Sequence, residues 1–141
     1  MRAPTLRPVP EFLSRAWLTQ LEAALDASPT VAALAPLVIE QVVTRVPGQG
    51  EVRYRISLAA GRARVIAGDD ADGATPDVRL TTDYETAVAI ATGEQNAQIA
   101  LAHGRLRLGG NVELLVRRAE GFAALDDATA ALRAVTTYRS P

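Results

Sequence analysis

The chain has 141 residues, 48% apolar and 22% charged, with a net charge of −1. That balance belongs to one folded domain with a sizeable core, and it excludes both extensive disorder and the basic footprint of a nucleic-acid binder. Cysteine is missing, all fifteen basic side chains are arginine, and His103 is the single histidine. Disulfides, thiolate metal sites, cysteine nucleophiles, Schiff-base lysines and P-loops are thereby excluded, no motif assembles a zinc site, and no cofactor is expected.

Residues 1–10 contain Pro4, Pro8 and Pro10 and no periodic pattern, so they read as an extended arm. From Glu11 the pattern turns helical. Phe12, Leu13, Ala16, Trp17, Leu21, Ala24 and Leu25 form one apolar stripe, and Ser28-Pro29 ends it because a residue before proline avoids the helical region. Thr30 is placed to cap a short second helix that reaches Leu34. Leu37 to Val46 is rich in β-branched residues and suits a central strand buried on both faces.

Glu51 to Leu58 alternates cleanly, and Arg62 to Ala67 follows it. Pairing Leu58 with Ala63, Ile56 with Val65 and Tyr54 with Ala67 keeps both apolar sets on one face. A one-residue slip would reverse one of them, so a hairpin with Ala60-Gly61 at its tip is predicted. An acidic loop, Gly68 to Pro76, leads to a short strand alternating Val78, Leu80 and Thr82. Thr82 and Glu85 have capping-box spacing for a helix closed by Gly93, and Asn96 is placed to cap another closed by Gly104. Arg105 to Leu108 alternates again. Asn111 is placed to cap a helix carrying Val112, Leu115, Val116 and Ala119, and Ala123 to Val135 reads as a last helix or turn. Strands grouped first and helices interleaved later indicate an α+β layer with helices on one sheet face. The expected organisation is an arm at 1–10, one domain at 11–135 and a tail at 136–141.

Residues 93 to 111, Gly-Glu-Gln-Asn-Ala-Gln-Ile-Ala-Leu-Ala-His-Gly-Arg-Leu-Arg-Leu-Gly-Gly-Asn, resemble the signature of the sterol carrier protein type-2 family. That signature runs glycine, two residues, Asn-Pro-Gln, an apolar pair, then Gly-Lys-Leu-Lys, an apolar residue, any residue, and Gly-Asn or Gly-Asp. Asp77 to Thr81 fits the strand preceding it, and the order from Val38 to about Phe122 matches. The N-terminal helix with Trp17 resembles the single-domain, actinobacterial-type members. Ala97 stands where the family often has proline, and Arg105 and Arg107 replace the usual lysines. The resemblance implies a five-stranded mixed sheet covered by helices, with an apolar tunnel between them that binds sterols, fatty acids or fatty acyl-CoA.

On that basis Val88, Gln98, Ile99, Leu101, Leu115, Val116 and Phe122 are candidate tunnel-lining residues. Gln98 fits the signature glutamine, either as a group for the ligand's polar end or as a backbone partner near a helix start. The hairpin register puts Arg53, Arg55 and Arg64 on the face away from the core. They form either a patch for anionic headgroups or a solvated, internally neutralised face. His103, at a helix C-terminus, reads as structural. Asp69-Asp70-Ala71-Asp72-Gly73 has the look of a calcium loop, but aligning Gly73 with that loop's glycine puts Gly68 at the first ligand position and Arg79 at the final glutamate.

Three functions are compatible with these residues. The first is non-catalytic binding or transfer of a hydrophobic lipid, with transient contact to a membrane surface. The second is a module supporting a partner enzyme. The third is a small isomerase using His103 or a buried carboxylate. The longest apolar run, Val31 to Ile39, is interrupted by Pro36 and is far short of the ~20 residues that span a bilayer. No stretch reads as a signal peptide or a peroxisomal tripeptide, so a cytoplasmic location is expected.

Overall fold

The structure, a computed structural model, describes residues 10–68 and 75–139. The arm preceding Pro10 and the acidic run from Asp69 to Gly73 lie outside the described residues. In chain order the elements are α1 (Arg15–Asp26), α2 (Pro29–Ala32), β1 (Leu37–Val46), β2 (Gly50–Ala59), β3 (Arg62–Ala67), β4 (Val78–Asp83), α3 (Tyr84–Ala91), α4 (Ala97–Ala102), β5 (Leu106–Gly110), α5 (Glu113–Arg117) and α6 (Ala119–Ala134). One mixed sheet runs β3-β2-β1-β4-β5, with β1 and β4 parallel and the other neighbours antiparallel.

The β2–β3 register is the expected one: Tyr54 faces Ala67, Ile56 faces Val65 and Leu58 faces Ala63. Ala60 and Gly61 both have positive φ (52° and 76°), the backbone of a two-residue turn whose twist matches the flanking strands. Leu37, Ile39 and Val43 of β1 join Tyr54, Ile56 and Leu58 of β2 in one apolar face, and the buried side of α1 (Trp17, Leu21, Leu25) with Leu125 and Leu132 of α6 closes over it. Phe12 binds this layer to the chain ends, with Trp17 edge-on at 5.0 Å and Tyr138 at 5.3 Å between ring centres.

β3 is an edge strand, and α1 covers its free edge with carboxylates. Glu22 accepts the Val65 N–H at 2.8 Å, and Asp26 accepts the Ala63 N–H at 3.0 Å while pairing with Arg62. Edge N–H groups satisfied this way cannot template another strand. The Arg62 hydrogen bond, then that from Ala63, holds the Asp26 carboxyl below its ordinary range.

Several caps differ from the sequence expectation. α1 begins at Arg15 rather than Glu11, because Leu13 adopts φ 68° and Ser14 takes the cap, accepting from the Trp17 N–H. Residues 11–12 instead pair with the far end of the chain: Phe12 N–H donates to the Thr137 carbonyl and Thr137 N–H to the Pro10 carbonyl, both at 2.9 Å. Residues 136–139 are thus tied to the domain, with Arg139 N–H also donating to the Tyr84 hydroxyl at 2.9 Å. Ser28, not Thr30, caps α2, since Pro29 at the first helical position needs no N–H partner. Asp83 displaces Thr82 as the α3 cap, and Thr82 donates to the Arg105 carbonyl at 2.7 Å. The Asn111 side chain does not cap α5, and α6 starts at Ala119 rather than Ala123.

Candidate functional site

Between the sheet and the helices lies a cavity of about 930 Å³, at the upper end of the range for small-molecule sites. Its floor is the helix-facing side of the sheet: Ile39, Gln41 and Val43 from β1, Tyr54 and Ile56 from β2, Leu80 and Thr82 from β4. Trp17, Leu21 and Leu25 of α1 form one wall, and Phe122 and Leu125 of α6 join it. α3 crosses the sheet near β1 and β4 and lines the space with Ile90 and with two small side chains, Ala87 and Ala91. The rim is polar: Thr92, Gln95, Asn96 and Gln98 on one side, Asp126, Thr129 and Arg133 on the other. Arg133 donates to Asp126 at 2.9 Å and to Thr129 at 2.8 Å.

Of the seven candidate lining residues, Gln98 and Phe122 border this cavity. Gln98 sits exposed at the rim while its backbone N–H goes to the Asn96 cap at 2.7 Å. Val88 borders a separate, smaller cleft between α3 and Arg105. Ile99 and Leu101 flank Ala100, which alone of α4 is buried, so both point outward; Val116 is 81% exposed and Leu115 half-buried. The sheet floor was the overlooked part, although the alternation that located β2 and β4 identifies their share of it. His103 is exposed at the C-terminus of α4 and borders neither cavity.

The opposite face of the sheet carries the charges. Glu40 of β1 is 1% exposed and is the convergence point of three arginines: Arg79 Nε at 2.8 Å, Arg55 Nε at 3.0 Å and Arg53 Nη1 at 4.0 Å. Register places them there, because Glu40 stands between Arg55 on β2 and Arg79 on β4. Burial alone would raise the Glu40 carboxyl, but the hydrogen bonds from Arg79 and Arg55 outweigh it and hold the group below its ordinary range. Arg64 lies exposed on the same face, opposite Ser57. Glu40 is therefore on the wrong side of the sheet to act as a base in the cavity. Among the described residues no cluster of side chains could hold a metal ion, and no helix is long and apolar enough to cross a membrane.

The signature glycines have a geometric reason. Gly110 has φ 78°, and a Cβ there would stand 2.6 Å from the Asp77 carbonyl oxygen, so only glycine lets β5 close on the start of β4. The family model for the SCP-2 sterol transfer family matches residues 18–120. The chain belongs to that family. Solved structures agree in fold. A conserved hypothetical protein from Thermus thermophilus superposes with a TM-score of 0.66 at 21% identity, covering 86% of this chain and 90% of that one. The sterol carrier protein domain 2 of Helicoverpa armigera gives 0.62 at 22% identity, covering 92% and 96%. A palmitated sterol carrier protein 2-like protein from Aedes aegypti gives 0.55 at 21% identity, covering 76% and 92%. No curated protein matches the sequence.

Proposed function

We propose that this SCP-2 family protein binds one hydrophobic lipid in the cavity between sheet and helices and transfers it without chemical change. The observation that carries the reading is the cavity itself, about 930 Å³ of space walled mainly by apolar side chains. Burying roughly 300 Å² of lipid surface there would contribute about 7 kcal/mol. Association and ordering costs offset part of it, which leaves the micromolar affinity a carrier needs in order to release its cargo. Family membership and the palmitated Aedes structure support the same ligand class.

Trp17 is the only tryptophan and lines the cavity, so it reports occupancy directly. Delipidated protein titrated with lipid should show a saturable, one-site change in Trp17 emission. Thermal stability should rise by about 2.7 kcal/mol at a free ligand concentration one hundred times Kd. Emission that stays flat with every lipid tried, together with an unmoved unfolding temperature, would refute the reading.

A further inference from the structure

Two polar side chains on the cavity floor have no partner among the described residues. Gln41 occupies a helix-facing position of β1 between Ile39 and Val43, and its cross-strand neighbour is Tyr54. Such neighbours have Cβ atoms about 5 Å apart, within reach of one ligand atom. Neither the Gln41 carboxamide nor the Tyr54 hydroxyl has a hydrogen-bond partner among the described residues. Yet no fully sealed polar side-chain atom among those residues goes unpaired, so these two groups look into open space. Gln41 is half-buried, and a hydrocarbon covering its amide would strip the remaining water without supplying a partner. Leucine would fit the alternation of β1 better than glutamine does.

We propose that Gln41 and Tyr54 form a recognition subsite for the hydrogen-bonding oxygen of a neutral lipid, an alcohol or ketone rather than a carboxylate. The inference rests on the lipid-binding reading and specifies its ligand. Both groups are uncharged: the amide offers donors and an acceptor, and burial pushes the Tyr54 phenol above its ordinary value, so its proton stays available. No cation accompanies them on the floor. Arg133, the one cation bordering the cavity among the described residues, is at the rim and is already engaged by Asp126 and Thr129. An anionic headgroup on the floor would therefore be desolvated without a counter-charge, whereas a hydroxyl or carbonyl would satisfy both groups.

The test uses the full-length protein, Trp17 emission, and three probes delivered from phosphatidylcholine vesicles: cholesterol, the hydrocarbon cholestane, and oleate. The wild type should bind cholesterol about tenfold more tightly than cholestane. Gln41→Leu and Tyr54→Phe should each weaken cholesterol binding about three- to tenfold while leaving cholestane bound at least as tightly as by the wild type. Tyr54→Phe removes a single hydroxyl, so it decides the matter even if Gln41→Leu folds poorly, and retained cholestane binding verifies the cavity in either variant. Cholesterol affinity unaffected in both variants, or oleate bound more tightly than cholesterol, overturns the subsite and leaves the carrier reading standing. Failure of all three probes to bind the wild type overturns both.

Discussion

Removing the charge of Glu40 tests whether the arginine-bearing sheet face is held together from within. Two charge-assisted hydrogen bonds end on its carboxylate, from Arg79 at 2.8 Å and Arg55 at 3.0 Å, and Arg53 stands 4.0 Å away. Bonds to charged groups contribute about 1.5–3 kcal/mol each, and breaking a buried ion pair costs about 3–5 kcal/mol. Two features reduce that figure here. The Arg79 side chain is 49% exposed and can rehydrate, although Arg55 at 14% largely cannot. Glutamine also keeps one acceptor oxygen. For Glu40→Gln the expected loss is about 2–3 kcal/mol, which at roughly 3.5 °C per kcal/mol for a chain of this length lowers Tm by about 7–10 °C. Circular dichroism melts at pH 7 measure it.

The pH dependence supplies a second reading of the same interaction. Because the folded-state value is depressed from 4.5, the stabilisation is complete above the unfolded value. It disappears as pH falls through the folded one. The gap between wild type and Glu40→Gln should therefore be constant from pH 7 to about 5 and close progressively below about 4.5. A melt unchanged at pH 7, or a gap that persists to the acid limit, would show that the three arginines are stabilised independently of Glu40.

Four further substitutions probe the turns, the edge and the cavity. Gly110→Ala should destabilise by more than the about 1–2 kcal/mol of a left-handed alanine, since its Cβ would also meet the Asp77 carbonyl at 2.6 Å, and urea titration would show it. Ala60→Asn should raise stability by about 0.5–1 kcal/mol in the same titration, because the residue already sits at φ 52° in a turn that favours asparagine before glycine. Glu22→Ala leaves the Val65 N–H open on the β3 edge, so light scattering during mild heating should rise earlier than in the wild type. Ala87→Phe puts a large ring into the cavity from α3, and should abolish the Trp17 response to lipid while keeping or raising Tm.

The sheet was legible because its information is local. Alternation in β2 and β3 permits one register, and the Ala60-Gly61 pair sits at the only tip that register allows. Caps were less legible wherever two candidates stand close together. Ser28 prevails over Thr30 because Pro29 follows it, and Asp83 over Thr82 because the Thr82 hydroxyl is drawn to the Arg105 carbonyl just before β5. The chain-end pairing of Pro10 and Phe12 with Thr137 joins segments more than a hundred residues apart and leaves no periodic trace in either. For the cavity, the motif led to helix residues such as Ile99 and Leu101. A six-residue helix has room for one buried position, which Ala100 takes, so its larger neighbours face out.

Each face of the sheet departs from what burial alone would select, and the two departures have opposite character. On the side away from the helices, a carboxylate is nearly sealed from water, and its cost is met by partners the register delivers from both neighbouring strands, Arg55 and Arg79. One residue further along β1, on the helix side, Gln41 has no partner from either neighbour, since register supplies Tyr54, whose hydroxyl is also unpaired, and Leu80. A strand that satisfies a charge completely at one position and leaves an amide unsatisfied at the next is not short of polar partners; it has none directed inward. The unfilled volume above Gln41 and the unused hydrogen-bonding capacity of its carboxamide are then one feature of the fold, and the proposed neutral lipid, mostly hydrocarbon with one oxygen, meets both.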